Sequence, residues 1–208
     1  MGAGKCETPA KILSAAADLF SRDAYACVSV DEVAEKAGCT KVTVYQHFKS
    51  KDHLLVESLR MRLARREARL DAFLEQLTPD SDPLLAVFDW LEEWIDPAHF
   101  RGCAFVKAVN ELSAVVPEVR DVALEAKEKI ADRFASLAKA SGRTKSRELG
   151  QQLALIFEGA QSLALIQSSA HPASLARRIA VTVLNDWDAR GNTAEPGNQS
   201  DRPRTGRR

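Results

Sequence analysis

The chain has 208 residues, of which 45% are hydrophobic and 28% are charged, and its 29 lysines and arginines equal its 29 acidic residues. Such a composition is that of an ordinary globular protein with a sizeable core, and it excludes a polycation or a low-complexity chain. Because the formal net charge is zero, any affinity for nucleic acid must come from a local basic patch.

Cysteine spacing and hydropathy exclude further classes of protein. The four cysteines form no C-x-x-C pair and have no histidines at zinc-finger distance. Neither a disulfide framework nor a zinc site is therefore predicted, and no cofactor is expected. Cys103 has two interpretations: a small buried hydrophobe, which is the commoner role, and a redox-sensitive thiol.

No apolar stretch approaches the roughly 20 residues of a membrane span, and the N-terminus lacks a secretory signal. We expect a cytoplasmic protein with no membrane partner.

Nearly every segment has the periodicity of an amphipathic helix, and capping signals mark where the first helices begin. Pro9 suits the first position of helix one. Residues 29–32, Ser-Val-Asp-Glu, match a capping box that opens a short second helix, and Gly38 ends that helix. Thr40 caps a third short helix that extends to about residue 48.

Longer helices are predicted for the rest of the chain. Ser50 caps a fourth helix that ends before Thr78-Pro79, and no glycine- or proline-rich linker separates it from the preceding segments. Further helices are predicted at 83–94, 103–114, 117–140, 146–169 and 173–188. The predicted fold class is all-α. Residues 191–208 contain almost nothing that can be buried and are expected to form a disordered basic tail, although non-specific DNA affinity is an alternative role.

Residues 29–48 have the layout of a helix-turn-helix, with two short helices joined by a tight turn at Gly38. In the second of these helices Val44 and Phe48 lie one turn apart, and we expect them to pack inward so that a polar face points outward. Four lysines and no acidic residue lie between Lys36 and Lys51. This segment is therefore the local basic patch that nucleic-acid binding requires.

The same stretch resembles the DNA-binding domain of the tetracycline-repressor (TetR) family of bacterial regulators. The resemblance covers residues 11–55 and rests on Ile12, Leu13, Ala16, Leu19, Phe20, Val33, Ala34, Ala37, Gly38, Thr43, Tyr45, His47, Phe48, Ser50, Lys51 and Leu54. The sequence departs from the family pattern at Ala24, where glycine is usual, and at Val42, where glycine or proline is common.

The resemblance implies a homodimer that binds a palindromic double-stranded DNA operator and releases it when an unknown small-molecule effector binds. It implies three DNA-binding helices in residues 1–50 and a helical ligand-binding and dimerisation domain in residues 51–190. It also implies roles for single residues: Thr40, Tyr45, His47 and Lys51 would bind phosphates, Lys41, Val42, Thr43 and Gln46 would approach bases, and Ser29 would cap its helix and reach the DNA backbone.

The last two helices carry broad apolar stripes, which we assign to the dimer interface, as in this family. The predicted interface residues are Leu153, Ile156, Phe157, Ala160, Leu163, Ala164, Leu175, Ile179, Val183 and Trp187. The alternative is that both stripes complete the core of a single protomer.

An effector pocket needs apolar walls and a few polar groups that orient the ligand. The candidate lining residues are Trp90, Trp94, Phe105, Phe134 and Phe157 for the walls and Asn110, Glu111, Glu158 and Gln161 for the polar groups. Aromatic residues at helical spacing belong to a core more often than to a pocket, and that alternative stays open.

Two other classes of function fit the sequence less well. An enzyme would need a nucleophile beside a base, clustered carboxylates or metal ligands, but the four histidines are scattered and no known catalytic motif is present. A purely structural helical protein would have no need for an acid-free basic helix after a tight turn. The sequence therefore favours a sequence-specific DNA-binding transcriptional regulator. The resemblance implies a repressor, which is the usual mode in the family, and an activator is the alternative.

Overall fold

The computed structural model describes residues 9–191, and within that range the chain is all-α, as the sequence predicts. The α-helices are α1 Pro9–Arg22, α2 Val30–Ala37, α3 Lys41–His47, α4 Lys51–Leu74, α5 Pro83–Trp94, α6 Ala104–Leu112, α7 Glu118–Ala140, α8 Ser146–Gln167 and α9 His171–Ala189. The predicted helices are confirmed with small shifts at their ends. Most of the predicted basic tail, residues 192–208, lies outside the described residues.

A 3₁₀ turn over Tyr25–Cys27, between α1 and α2, is the element that the sequence pattern does not predict. Ala24 precedes it with a φ of −61°, which any L-residue adopts, so alanine is accommodated here in place of the usual glycine. The turn brings the Tyr25 ring against Phe20 of α1 with a centroid separation of 5.6 Å. It thereby closes the end of α1 over the N-terminal core.

The predicted helix caps are confirmed around α2 and α3. The Ser29 hydroxyl accepts a hydrogen bond from the Glu32 amide at 3.1 Å, and the Glu32 carboxylate accepts one from the Ser29 amide at 2.6 Å. Gly38 ends α2 with a φ of 70°, in the left-handed region that glycine enters without strain. The Thr40 hydroxyl then accepts from the Thr43 amide at 3.2 Å and starts α3. These local contacts set the angle between the two short helices.

Two clusters of buried side chains hold the fold together. The first joins α1, α2 and α3 to the N-terminal half of α4, to α6 and to the start of α7. The second joins the C-terminal half of α4 to α5, the rest of α7, α8 and α9. Because α4 and α7 contribute to both clusters, the two ends of the molecule are packed on shared helices. The division into domains at residues 50 and 51 stays a prediction.

Several residues assigned to the dimer interface belong to the core of the protomer instead. Leu153, Phe157, Ala160, Ala164 and Trp187 are at most 6% exposed and lie in the second cluster. The expectation that these five side chains face a partner is therefore wrong. The apolar stripes of α8 and α9 are wide enough to serve two surfaces, and hydrophobic periodicity alone does not tell the inner edge from the outer.

Three aromatic residues assigned to an effector pocket are core residues as well. Trp90, Phe134 and Phe157 are 4%, 0% and 1% exposed, and they pack with Phe88 in one aromatic cluster. The structure thus favours the alternative that aromatic residues at helical spacing fill the core.

Of the helices in residues 9–191, none combines the length and hydropathy that crossing a bilayer requires. In that range there is also no group of three or more His, Cys, Asp or Glu side chains placed to hold a metal ion.

Helices α7 and α8 pack closely because α8 carries a buried glycine at their contact. A Cβ atom at Gly150 would lie 2.6 Å from the Ala131 carbonyl oxygen and 2.7 Å from the Ala135 nitrogen, both backbone atoms of α7. Any side chain at this position would force the two helices apart.

We predict that Gly150→Ala lowers the free energy of unfolding by about 1–3 kcal/mol, the usual cost of overpacking, although alanine has the higher helix propensity. Urea denaturation measures the change. The control is Gln151→Ala, at the neighbouring exposed position of α8, which should change stability by less than about 0.5 kcal/mol. A Gly150→Ala protein as stable as the parent would contradict this account of the contact.

Candidate functional site

Helix α3 has only seven residues, too few to be stable alone, so its position depends on what it buries. Val44 and Phe48 are 1% and 5% exposed, and they belong to the same cluster as Val33 and Ala34 of α2. This confirms the inward anchoring that their spacing predicts. The rest of the α3 surface is thereby held away from the core.

The outward face of α3 contains the residues predicted to meet DNA. Val42 is 67% exposed and Tyr45 is 46% exposed, and the side chains of Lys41, Gln46 and His47 are also exposed. This face combines hydrogen-bonding groups with one aliphatic side chain, as contacts with base edges and thymine methyl groups require.

Two threonines at the start of α3 are already bonded to each other. The Thr40 and Thr43 hydroxyl oxygens lie 2.9 Å apart, and Thr43 is only half-exposed. The Ser29 hydroxyl, likewise, caps α2. All three hydroxyls are thus oriented by the protein before any DNA is present, which lowers the entropic cost of using their remaining hydrogen-bonding capacity.

The charge of α3 is partly neutralised by a neighbour from α2. The Lys41 ammonium donates to the Asp31 carboxylate at 2.7 Å, and this hydrogen bond raises the pKa of Lys41. The stretch from Lys36 to Lys51 has no acid in sequence, but folding brings Asp31 against it. Lys41 is therefore held by Asp31 within the protomer.

Lys51, at the first position of α4, is anchored to the 3₁₀ turn. Its Nζ atom donates to the Tyr25 carbonyl oxygen at 2.5 Å and lies 3.9 Å from the centroid of the Tyr25 ring. Burial lowers the pKa of Lys51. The Tyr25 hydroxyl in turn donates to Asp52, and burial with this hydrogen bond raises the pKa of Tyr25. An ammonium has three donors, so Lys51 keeps donors beyond the one that it gives to Tyr25.

Two charged side chains of α6 bind the backbone at the end of α1 and in the 3₁₀ turn that follows it. The Lys107 ammonium donates to the carbonyl oxygens of Phe20, Ser21 and Asp23 at 3.2, 3.4 and 2.8 Å. The Glu111 carboxylate accepts from the Tyr25 amide at 2.9 Å. The Lys107 ammonium faces the carbonyl end of α1, where a positive charge stabilises the helix dipole. We call these contacts the α6 clamp.

Two of the cavities in the described residues border α6. The first, of about 190 Å³, is lined by four arginines of α4 together with Ala17 and Asp18 of α1, and we call it the arginine cavity. The second, of about 490 Å³, lies between α6 and α8 and is lined by both residues of the clamp. Cys103, Gly102 and Gln161 line both cavities. The α6–α8 cavity thus borders the α6 clamp directly.

The six remaining candidate pocket residues all line one of these cavities. Trp94 and Phe105 border the arginine cavity. Asn110, Glu111 and Glu158 border the α6–α8 cavity, and Gln161 borders both. That they bind an effector stays a prediction.

Cys103 and Glu158 share one cationic partner. The Lys127 ammonium donates to the Cys103 sulfur at 3.2 Å and to the Glu158 carboxylate at 2.5 Å. The other oxygen of Glu158, Oε1, is buried and has no hydrogen-bond partner among the residues that the structure describes. Cys103 is partly buried. This burial does not decide between a small buried hydrophobe and a redox-sensitive thiol.

The arginines of the first cavity are the feature that the sequence analysis missed. Arg62, Arg65, Arg66 and Arg69 follow the i, i+3, i+4, i+7 spacing of one helix face. That spacing was available as a signal, but a run of charged residues on a long helix ordinarily indicates a solvated face.

Comparison with known proteins agrees with this architecture. Residues 12–57 match the family model described as bacterial regulatory proteins, tetR family. A search of curated proteins finds no match. Among solved structures, a TetR transcriptional regulator from Streptomyces avermitilis is 31% identical, with 86% of this chain and 97% of that chain covered and a TM-score of 0.69. A TetR-family transcriptional regulator from Streptomyces coelicolor is 26% identical, with 85% and 94% covered and a TM-score of 0.74.

We predict that Lys107→Met, which keeps the aliphatic stem and removes the ammonium, lowers the free energy of unfolding by about 1.5–3 kcal/mol through loss of charge-assisted hydrogen bonds. The control is Lys129→Met, since Lys129 forms an exposed i, i+4 pair with Glu125 at 3.7 Å worth less than about 0.5 kcal/mol. Equal losses in the two variants, measured by urea denaturation, would mean that the α6 clamp does not hold α1.

Proposed function

Since this chain belongs to the TetR family of bacterial regulatory proteins, we propose that it is a repressor that binds a palindromic operator as a homodimer and is released by a small-molecule effector. The observation that carries the proposal is the exposed polar face of α3, held outward by the buried anchors Val44 and Phe48. A repressor of this kind acts in the cytoplasm, where bacterial DNA lies, and needs no catalytic group.

In this proposal the residues of α3 divide between two tasks. Val42, Thr43 and Gln46 point into the major groove, with Lys41 joining them once it leaves Asp31. The DNA backbone is bound by residues at the edges of α3 and at the ends of the neighbouring helices. These are Ser29, Thr40, Tyr45, His47 and Lys51. Contacts of the second group position the protein without selecting a sequence.

The outer edges of α8 and α9 supply the proposed dimer interface. On α8, Leu155 and Ile166 are 76% and 75% exposed and Leu163 is 45% exposed; on α9, Leu175 and Ile179 are 39% and 45% exposed. Exposed aliphatic residues on two adjacent helices form a patch that water solvates poorly. Of the predicted interface, Leu163, Leu175 and Ile179 keep their assignment, as do the half-buried Ile156 and Val183; Leu155 and Ile166 are added.

Coupling between effector and operator follows from the shared helices. A dimer presents two copies of α3, which must lie about 34 Å apart to enter successive major grooves on one side of B-DNA. In each protomer α4 borders the arginine cavity and α6 borders both cavities, and the two helices also support the N-terminal helices. A ligand that shifts either helix changes the separation of the two recognition helices and so weakens operator binding.

The division of tasks on α3 predicts two different mutant phenotypes. Gln46→Ala should change which base is preferred at one position of the site, by about 1–3 kcal/mol. Tyr45→Phe should weaken binding to every sequence by about 0.5–1.5 kcal/mol and leave the preference unchanged. Selection from a random duplex library, followed by fluorescence anisotropy, measures both. Lys139→Ala, an exposed change on α7, is the control. If Tyr45→Phe shifted base preference, the assigned roles would be wrong.

The proposed dimer interface predicts that Leu155→Glu combined with Ile166→Glu converts the dimer to a monomer, because two buried carboxylates would face an apolar partner surface. Light scattering after size-exclusion chromatography measures the mass. Val115→Glu is the matched control, since Val115 is 73% exposed but lies outside α8 and α9. A double variant that stays dimeric would place the interface elsewhere.

A further inference from the structure

The arginine cavity has an excess of positive charge that the fold does not neutralise. Its lining contains four arginines and one acidic residue, Asp18, which is itself paired with Lys36 at 3.4 Å. Arg66 is paired with Glu67 at 2.9 Å. Within the described residues, Arg62, Arg65 and Arg69 form no ion pair. Guanidinium groups gathered around one space without carboxylate partners favour the binding of an anion there.

Two of these arginines contact α1: Arg65 donates to the Ser14 hydroxyl at 3.4 Å, and Arg62 is the more buried of the two. Its guanidinium donates to the Ala17 carbonyl oxygen of α1 at 3.2 Å. Burial lowers the pKa of Arg62, and Asp18 opposes that shift. A partly desolvated cation with one neutral acceptor gains more from an incoming anion than a fully solvated cation does.

Gln161 adds a polar group to the same wall. This α8 side chain is 5% exposed and lines the arginine cavity. Among the described residues the sealed polar atom without a partner is Glu158 Oε1 and not the Gln161 amide, so the amide is open to the cavity and available to hydrogen-bond a ligand there.

The remaining walls of the cavity are apolar. Trp94 and Phe105 border it. Trp94 stacks on Trp90 with an interplanar angle of 5°, and the Arg66 guanidinium lies 5.8 Å from the centroid of the Phe105 ring. An aromatic wall beside guanidinium groups suits a ligand with an acidic head and a flat apolar body.

We propose that the arginine cavity binds the effector and that the effector is an aromatic carboxylate. The carboxylate accepts from Arg65 and Arg69 and draws Arg62 toward it, the amide of Gln161 bonds a polar atom of the ligand, and the ring packs on Trp94 and Phe105. The inference rests on the proposed function for its regulatory consequence, namely that ligand binding removes the Arg62 contact with α1.

The direct test is calorimetry on the full-length protein with 2-naphthoate as the probe and 2-naphthamide as its neutral counterpart. We expect 2-naphthoate to bind at least about tenfold more tightly than the amide, because only the acid forms charge-assisted hydrogen bonds. The double substitution Arg65→Gln and Arg69→Gln should weaken 2-naphthoate at least about tenfold, and Gln161→Leu at least about threefold.

The matched control is Arg60→Gln, which removes one arginine of α4 that pairs with Glu57 and does not line the cavity. It should change the dissociation constant by less than about twofold, because its guanidinium does not reach the ligand and acts on it only through solvent. Equal binding of acid and amide, no binding of either, or equal loss in Arg60→Gln would overturn the proposal. So would a Gln161→Leu protein that binds as the parent does.

A second arm separates this proposal from the proposed function. Operator duplexes are selected from a random library, and their affinity is measured with and without 2-naphthoate. At a concentration that just saturates the parent, the acid should weaken operator binding at least about fivefold in the parent and clearly less in the double arginine variant. Failure to select any duplex would refute the regulator and leave the calorimetry interpretable. Acid binding that leaves operator affinity unchanged would overturn the assignment of the cavity to the effector.

Discussion

The structure depends on the burial of two side chains, Val44 and Phe48, beneath a helix of seven residues. A helix this short does not form in water unless its surroundings stabilise it. The anchors fix which side of α3 faces the core, and the opposite side, with Val42 and Gln46, is exposed as a consequence. The caps at Ser29 and Thr40 set the helix ends. Local sequence and tertiary burial thus agree, as they do in a sequence with a single preferred fold.

The same packing would connect a distant ligand site to α3 in the regulator that we propose. The N-terminal core includes residues of α4 and α6, so the positions of α1, α2 and α3 depend on the positions of those two helices. Three charged side chains add hydrogen bonds to this packing. Lys107 and Glu111 of α6 bind the end of α1 and the 3₁₀ turn, and Arg62 of α4 binds α1. Each of these residues borders at least one cavity. Coupling of this kind requires only that a ligand favour one arrangement of α4 and α6 over another.

Sequence reasoning recovered the fold class and the orientation of α3 because both follow from short-range signals. Capping boxes, the glycine at residue 38 and the spacing of Val44 and Phe48 act within a few residues. The apolar stripe of α8 is less informative, because it faces both the core and the solvent. Leu153 and Leu163 belong to the same stripe, yet Leu153 is 0% and Leu163 is 45% exposed. Sequence reasoning also could not foresee contacts between distant segments. The Asp31 pairing with Lys41 joins two helices, and the Lys107 contacts with α1 span more than 80 positions.

The central claim is that the outward face of α3 meets duplex DNA. Photocrosslinking tests it most directly, with benzoylphenylalanine placed at position 42 in one protein and at position 115 in another, since both valines are strongly exposed. With a selected operator bound, position 42 should crosslink to DNA and position 115 should not. A DNA-bound protein that crosslinks from position 115 and not from position 42 would contradict the account.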